Sequence, residues 1–183
     1  MLNIVDADIE FQNSIVKIVA LGNLQALPVA GMVVGPLEEG KEYEVRYWVA
    51  SEVVKAGYAR FYDDVSLTFA SLNKIHWRET KLQTGRQISP LPEFFYSKLR
   101  RYLDGLKESA SRDVSLALEY AQASRLAHDV VNCRLNKIVN LATYPPTETV
   151  LRALSKEERS LFDNICATVS DWGSQIYEME DSK

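Results

Sequence analysis

From Ser111 to Thr143 the chain contains neither Pro nor Gly, and its apolar residues outnumber what one helical stripe needs. One series runs Leu116, Tyr120, Ala123, Ala127 and Val130, and another runs Ala127, Val131, Leu135, Ile138 and Ala142. Both have the spacing of a long helix. A helix apolar around so much of its circumference is buried in the middle of a bundle or against another chain. Pro145-Pro146 ends it, because proline removes a helical donor and disfavours helix in the residue before it.

The segments around this helix supply the rest of a bundle. Val65, Phe69, Leu72 and His76 follow i, i+4, i+7, i+11 spacing, which predicts a helix to about Leu82 with Asp63 or Asp64 capping its start. Gln83 to Ser89 reads as a polar loop. Pro90-Leu91-Pro92-Glu93 marks the next start, with Pro92 tolerated in the first turn, and Phe95, Leu99, Tyr102 and Leu106 form one apolar stripe. A short helical turn is expected at Thr147 to Ala153. Ser155-Lys156-Glu157-Glu158 is a capping box, in which the Ser155 hydroxyl accepts from the Glu158 amide and the Glu158 carboxylate from the Ser155 amide. Leu161, Ile165, Val169, Trp172 and Ile176 continue the last helix, and Met179 to Lys183 is a polar tail.

The first third of the chain is patterned differently. Ser14 to Leu21 reads as a strand, a second short apolar run lies near Leu27 to Ala30, and Tyr43, Val45 and Tyr47 alternate with Glu42, Glu44 and Arg46 as in a half-buried strand. Gly35-Pro36 and Gly40-Lys41 bracket Leu37-Glu38-Glu39, which predicts a reversal between Met32-Val33-Val34 and the Tyr43 strand. Trp48 to Ala56 then has a helical period, Gly57 sits where a helix ends, and Tyr58 to Phe61 is a final strand. The predicted architecture is α+β: a small N-terminal β-rich domain over residues 1–62, followed by an α-helical bundle domain over residues 63–183.

Little in the sequence supports chemistry. His76 and His128 are the two histidines and neither belongs to a metal-ligand pattern, the glycines form no phosphate cradle, and the adjacent Asp63-Asp64 suits helix capping better than acid–base work. Cys133 and Cys166 sit in apolar helical patterns and are expected to be packing residues. No catalytic residue, cofactor or metal is expected. No apolar run reaches the length of about 20 residues that spans a bilayer, and the start lacks a basic-then-apolar signal, so a cytoplasmic protein without membrane contact is expected.

Charge is unevenly spread. The chain carries -4 overall, which argues against a protein that grips duplex DNA, yet residues 74–112 hold nine basic and four acidic groups. Solvated helix faces account for most such charge runs, and the sharper reading makes Arg78, Lys81, Arg86, Arg100 and Arg101 a candidate basic contact surface for an acidic partner or passing nucleic acid. Tyr43, Tyr47, Trp48, Tyr58, Phe61 and Tyr62 crowd the β-rich part, and an autonomous single-stranded nucleic-acid-binding module is the alternative that they keep open. Glu38, Glu39, Glu42 and Glu44 oppose that use, and core packing accounts better for most of these rings.

Four segments in order resemble a known family: GPLEEGKEYEVRYWVASEVVKAGYARF from Gly35, LPEFFYSKLRRYLDGL from Leu91, RLNKIVNLA from Arg134 and LSKEERSLFDNI from Leu154. With the order of the two domains, they look like a subunit of the GINS complex, and the β domain coming first is similar to the archaeal subunit equivalent to the second and third eukaryotic partner subunits. Nothing in Met1 to Asn13 matches. The resemblance implies a non-enzymatic scaffold that supports the MCM replicative helicase in DNA replication initiation and elongation. It implies a 2:2 heterotetramer with the β-last paralogue, with a homotetramer left open, contacts to MCM and to a RecJ-like protein, and association with the nucleoid through the replisome; a weak DNA contact rests on the basic residues of the middle region alone. Assembly through the helical domains makes Leu116, Tyr120, Ala127, Val131, Leu135 and Ile138 the candidate subunit interface.

Overall fold

The computed structural model describes residues 4–29, 32–62, 66–81, 87–145 and 147–177. Its contacts divide the chain into two units, Asp8–Ser66 and Leu67–Lys183, with Met1–Ala7 grouped with the second. The small strand-bearing region thus precedes a helical bundle, as the pattern predicts.

In the first unit, β1 (Ile15–Ala20) is the middle strand of an antiparallel sheet between β4 (Glu42–Arg46) and β5 (Ala59–Phe61). The register sets Val16 opposite Val45 and Ile18 opposite Tyr43. These four side chains share one face, over a core of Ile18, Ala50 and Ala59, and Lys17 and Glu44 pair on the other face. A one-residue slip would exchange the two faces, so burial holds the register. α2 (Tyr47–Lys55) covers the core with Ala50, Val53 and Val54, and Gly57, at φ +81°, turns the chain into β5. The reversal expected between Met32–Val34 and the Tyr43 strand is not a hairpin. β3 (Met32–Val34) pairs instead with β2 (Leu27–Val29), and β4 joins β1, which is long enough to match its whole apolar alternation. Leu24 and Leu37 exchange backbone bonds, and the Gly40 amide donates to the Ala20 carbonyl, carrying the loop to β1.

The N-terminal third is less purely β than its strand patterns suggest. α1 (Ile4–Asn13) lies where the sequence offers no resemblance. The Ser14 amide and hydroxyl both donate to the Phe11 carbonyl at its end, and the Phe11 ring packs on Tyr47 with centroids 4.3 Å apart.

The second unit is built on α5 (Ser115–Ala142), about 42 Å long at 1.5 Å per residue. α3 (Phe69–Lys81), α4 (Phe95–Arg112) and α7 (Lys156–Tyr177) each pack against it, and α6 (Glu148–Ala153) is a short turn before α7. α3 begins four residues later than the Val65 stripe suggests. Thr68 and Ser71 exchange side-chain-to-amide bonds and so satisfy the helix start, whereas Asp63 and Asp64 lie outside the described residues. Two apolar clusters result. Leu72, Ile75, Phe95 and Leu99 close on Ala123, Ala127 and Val130 of α5, and Phe162 closes on Ile138, Leu141 and Ala142. Cys133 and Cys166 are half-buried and free, each directed at a backbone carbonyl.

Candidate functional site

The buried face of α5 runs Ala123, Ala127, Val130, Arg134, Lys137, Ile138 and Leu141, so two cations continue an apolar stripe into the interior. Arg134 has no exposed surface. Its guanidinium grips Glu158 of α7 with two parallel bonds, Nε to Oε1 at 2.7 Å and Nη2 to Oε2 at 2.6 Å. Nη1 reaches Glu79 of α3 at 3.2 Å and donates to the Ser89 carbonyl. Lys137 donates to the other Glu79 oxygen at 2.8 Å and to the Glu79 carbonyl at 2.9 Å. The Ser89 hydroxyl donates to Glu79, and the Tyr96 hydroxyl of α4 donates to Glu158 at 2.7 Å.

Two cations and two carboxylates therefore balance in the seam between the apolar clusters. Forked geometry suits Arg134 to this place, since a planar guanidinium matches a carboxylate with little further loss of freedom. Burial raises the Glu79 pKa, but bonds from Lys137 and Ser89 and the charges of Arg134 and Lys137 outweigh it and hold Glu79 below the ordinary carboxylate range. Burial, then the charge and hydrogen bond of Glu158, push Tyr96 above the ordinary phenol range. Glu158 also completes the predicted capping box: the Ser155 amide donates to its Oε2 at 3.0 Å, and its own amide donates to the Ser155 hydroxyl at 3.3 Å. One carboxylate thus ties the start of α7 to α4 and α5.

Beside this network is a groove of about 390 Å³ lined by Tyr96 and Arg100 of α4, Val131, Leu135 and Ile138 of α5, and Leu161 of α7. Val131 and Leu135 stay 38% and 41% exposed. Val139 of α5 and Leu161, Val169, Trp172 and Ile176 of α7 are exposed as well, so among the described residues the stripe on the last helix is covered only at Ile165, which packs on the second apolar cluster. Phe162 is the buried ring on that helix. Of the other candidate interface residues, Leu116 and Tyr120 are half-buried near the start of α5, Ala127 belongs to the first apolar cluster, and Ile138, although it also lines the groove, is buried in the second.

The candidate basic residues fall on two helices. Arg78 and Lys81 lie on α3, Arg100 and Arg101 are half-buried on α4, and Arg86 lies outside the described residues. His76 is half-buried, with Nε2 3.7 Å from Asp129 on α5. In the small unit Tyr47 stacks on Phe61 and Tyr43 accepts from the Glu38 amide, whereas Tyr58 and Tyr62 are exposed. Among the described residues no group of His, Cys, Asp or Glu could hold a metal, and no helix is long and apolar enough to cross a membrane.

A small strand-bearing unit followed by a bundle with an uncovered aliphatic face defines an α+β protein whose chief surface is suited to packing. Residues 66–177, more than half of the chain, match the family model described as Sld5, the GINS complex protein helical bundle domain. The chain belongs to the GINS family, with the role in DNA replication that the complex has. It matches no curated protein.

Proposed function

We propose that this chain is the β-first type of GINS subunit, of archaeal kind, and acts as a non-enzymatic scaffold for the MCM helicase. The observation that carries the reading is the aliphatic face of α5 and α7. Val131, Leu135, Val139, Leu161, Val169, Trp172 and Ile176 are of a kind that monomers bury, and they stand outside on helices within the matched domain. A second subunit of the same domain type, the β-last paralogue in a 2:2 heterotetramer, supplies a helical face of the same chemistry. The small unit is then the docking element toward MCM and a RecJ-like protein, and the complex works in the cytoplasm at the nucleoid. Arg78, Lys81 and Arg86, with Arg100 and Arg101, serve as its basic contact to MCM or DNA.

Native mass of the chain alone and mixed with the β-last paralogue tests the assembly. A 2:2 complex is expected, and a mixture that yields no hetero-complex overturns the reading. Reversing Arg78, Lys81 and Arg86 to Glu should weaken stimulation of MCM unwinding while the assembly mass is kept. Unchanged stimulation returns those residues to a solvated helix face.

A further inference from the structure

The outward face of α3 combines charge with an aromatic ring in a way that packing does not require. Lys74, Trp77, Arg78 and Lys81 follow i, i+3, i+4, i+7 spacing and so share one side of the helix. Trp77 is 58% exposed, Lys74 and Lys81 are exposed, and Arg78 is half-exposed. The one acid of α3, Glu79, is turned inward and consumed by Arg134 and Lys137, so this face carries three cations and no carboxylate of its own helix. The Lys81 ammonium lies 4.0 Å from the centre of the Trp77 ring, covering one side of the indole. Arg78 and Lys81 suit the negative end of α3. That effect explains neither Lys74, two turns earlier, nor an indole left in water.

We propose that this face of α3 binds single-stranded nucleic acid, with a base stacked on Trp77 and successive phosphates neutralised by Lys74, Arg78 and Lys81. A strand supplies both things the face offers to meet: anions in a row and flat π surfaces. Lys74 to Lys81 spans about 10 Å of helix axis, and the length of the lysine and arginine side chains adds to that reach, so the three cations can meet successive phosphates of one strand. An acidic peptide would satisfy the cations and leave the indole without a stacking partner. The proposal narrows the basic-contact reading of Arg78 and Lys81 to one ligand and is independent of subunit assembly, which native mass tests separately.

The test uses the full chain with Trp48→Phe and Trp172→Phe, leaving Trp77 as the sole tryptophan, titrated with oligothymidylate at low salt. Trp77 emission should be quenched, and log affinity should fall against log salt with a slope of about -2, for three phosphates on a single strand. In the otherwise native chain, with a dye-labelled oligothymidylate, Trp77→Ala should bind about tenfold more weakly and Trp77→Phe nearly as well as the parent. Lys74→Gln with Lys81→Gln should make the slope shallower by about 1.4. Absence of quenching, or Trp77→Ala binding as tightly as the parent, overturns the proposal. Displacement by polyglutamate at matched charge with equal loss of affinity in the Phe and Ala variants also overturns it, in favour of an acidic protein partner.

Discussion

The two faces of α5 invert the usual arrangement within two helical turns. Inside, Arg134 and Lys137 are buried among carboxylates; outside, Val131, Leu135 and Val139 meet water. The inner face gains little net stability from its charges, because desolvating four ions offsets most of their attraction. It gains definition instead, since α3, α4, α5, α7 and the Ser89 segment must meet at set distances for every donor to find its acceptor. The outer face costs exposure in the isolated chain and recovers it only when another apolar surface covers it. Glu158 and Tyr96 belong to the ion network and also line the groove, so the internal charges hold the walls of the external surface.

The comparison breaks most severely at Arg134. Arg134→Met leaves Glu158 and Glu79 buried without their shared partner and should lower unfolding free energy by about 3–5 kcal/mol, read by denaturant titration. Replacing Glu79, Arg134, Lys137 and Glu158 together by Leu or Met should cost less than that single change. A larger loss would mean that the network contributes strong net stability. Next in size, Tyr96→Phe removes a bond to a charged acceptor and should cost about 1.5–3 kcal/mol.

Tyr96 also sharpens the pH dependence. Its folded pKa lies above its unfolded value of about 10, so its contribution is present below that value and fades as pH rises past it. Tyr96→Phe should flatten the alkaline fall in melting temperature. Glu79 acts in the opposite sense. Its folded pKa is below the unfolded 4.5, so its stabilisation is present above that value and is lost as pH falls through the lower folded one. Acid melting curves of the parent and Glu79→Gln should differ in steepness there. Ser155→Ala should cost about 1 kcal/mol through loss of the cap.

The smallest effect on this chain belongs to the outer face. Val131→Ser and Leu135→Ser should each change its own unfolding free energy by about 0.5 kcal/mol, as exposed positions usually do. Complex formation in sizing or native mass should be weakened strongly. If those substitutions unfold the chain and leave its association unchanged, the face is internal packing and not a docking surface.

Periodicity was enough to find the helices around α5, because burial of an apolar stripe leaves a local record at 3.6-residue spacing. The Ser155 box was legible for the same reason: its donors and acceptors lie within one turn. The site was legible only in part. Val131 and Leu135 are uncovered as an interface residue must be, but Ala127 and Ile138, read from the same spacing, are covered by α3, α4 and α7. A period gives which residues share a side of a helix and not which side a neighbour takes. Arg134 and Lys137 carried one unused signal, their place in the stripe of Ala123, Ala127 and Val130.

The sequence by itself determined the order of the two units, the long Pro- and Gly-free helix at the centre of the bundle, and the absence of any recognisable catalytic motif, all of which depend on neighbours along the chain. Tertiary structure decided that β4 pairs with β1 instead of β3, that Glu79, Arg134 and Glu158 meet across as many as 79 positions of sequence, and that Val169, Trp172 and Ile176 of the α7 stripe face water. Those outcomes turn on which distant surfaces exclude water from one another, and local spacing carries no record of that.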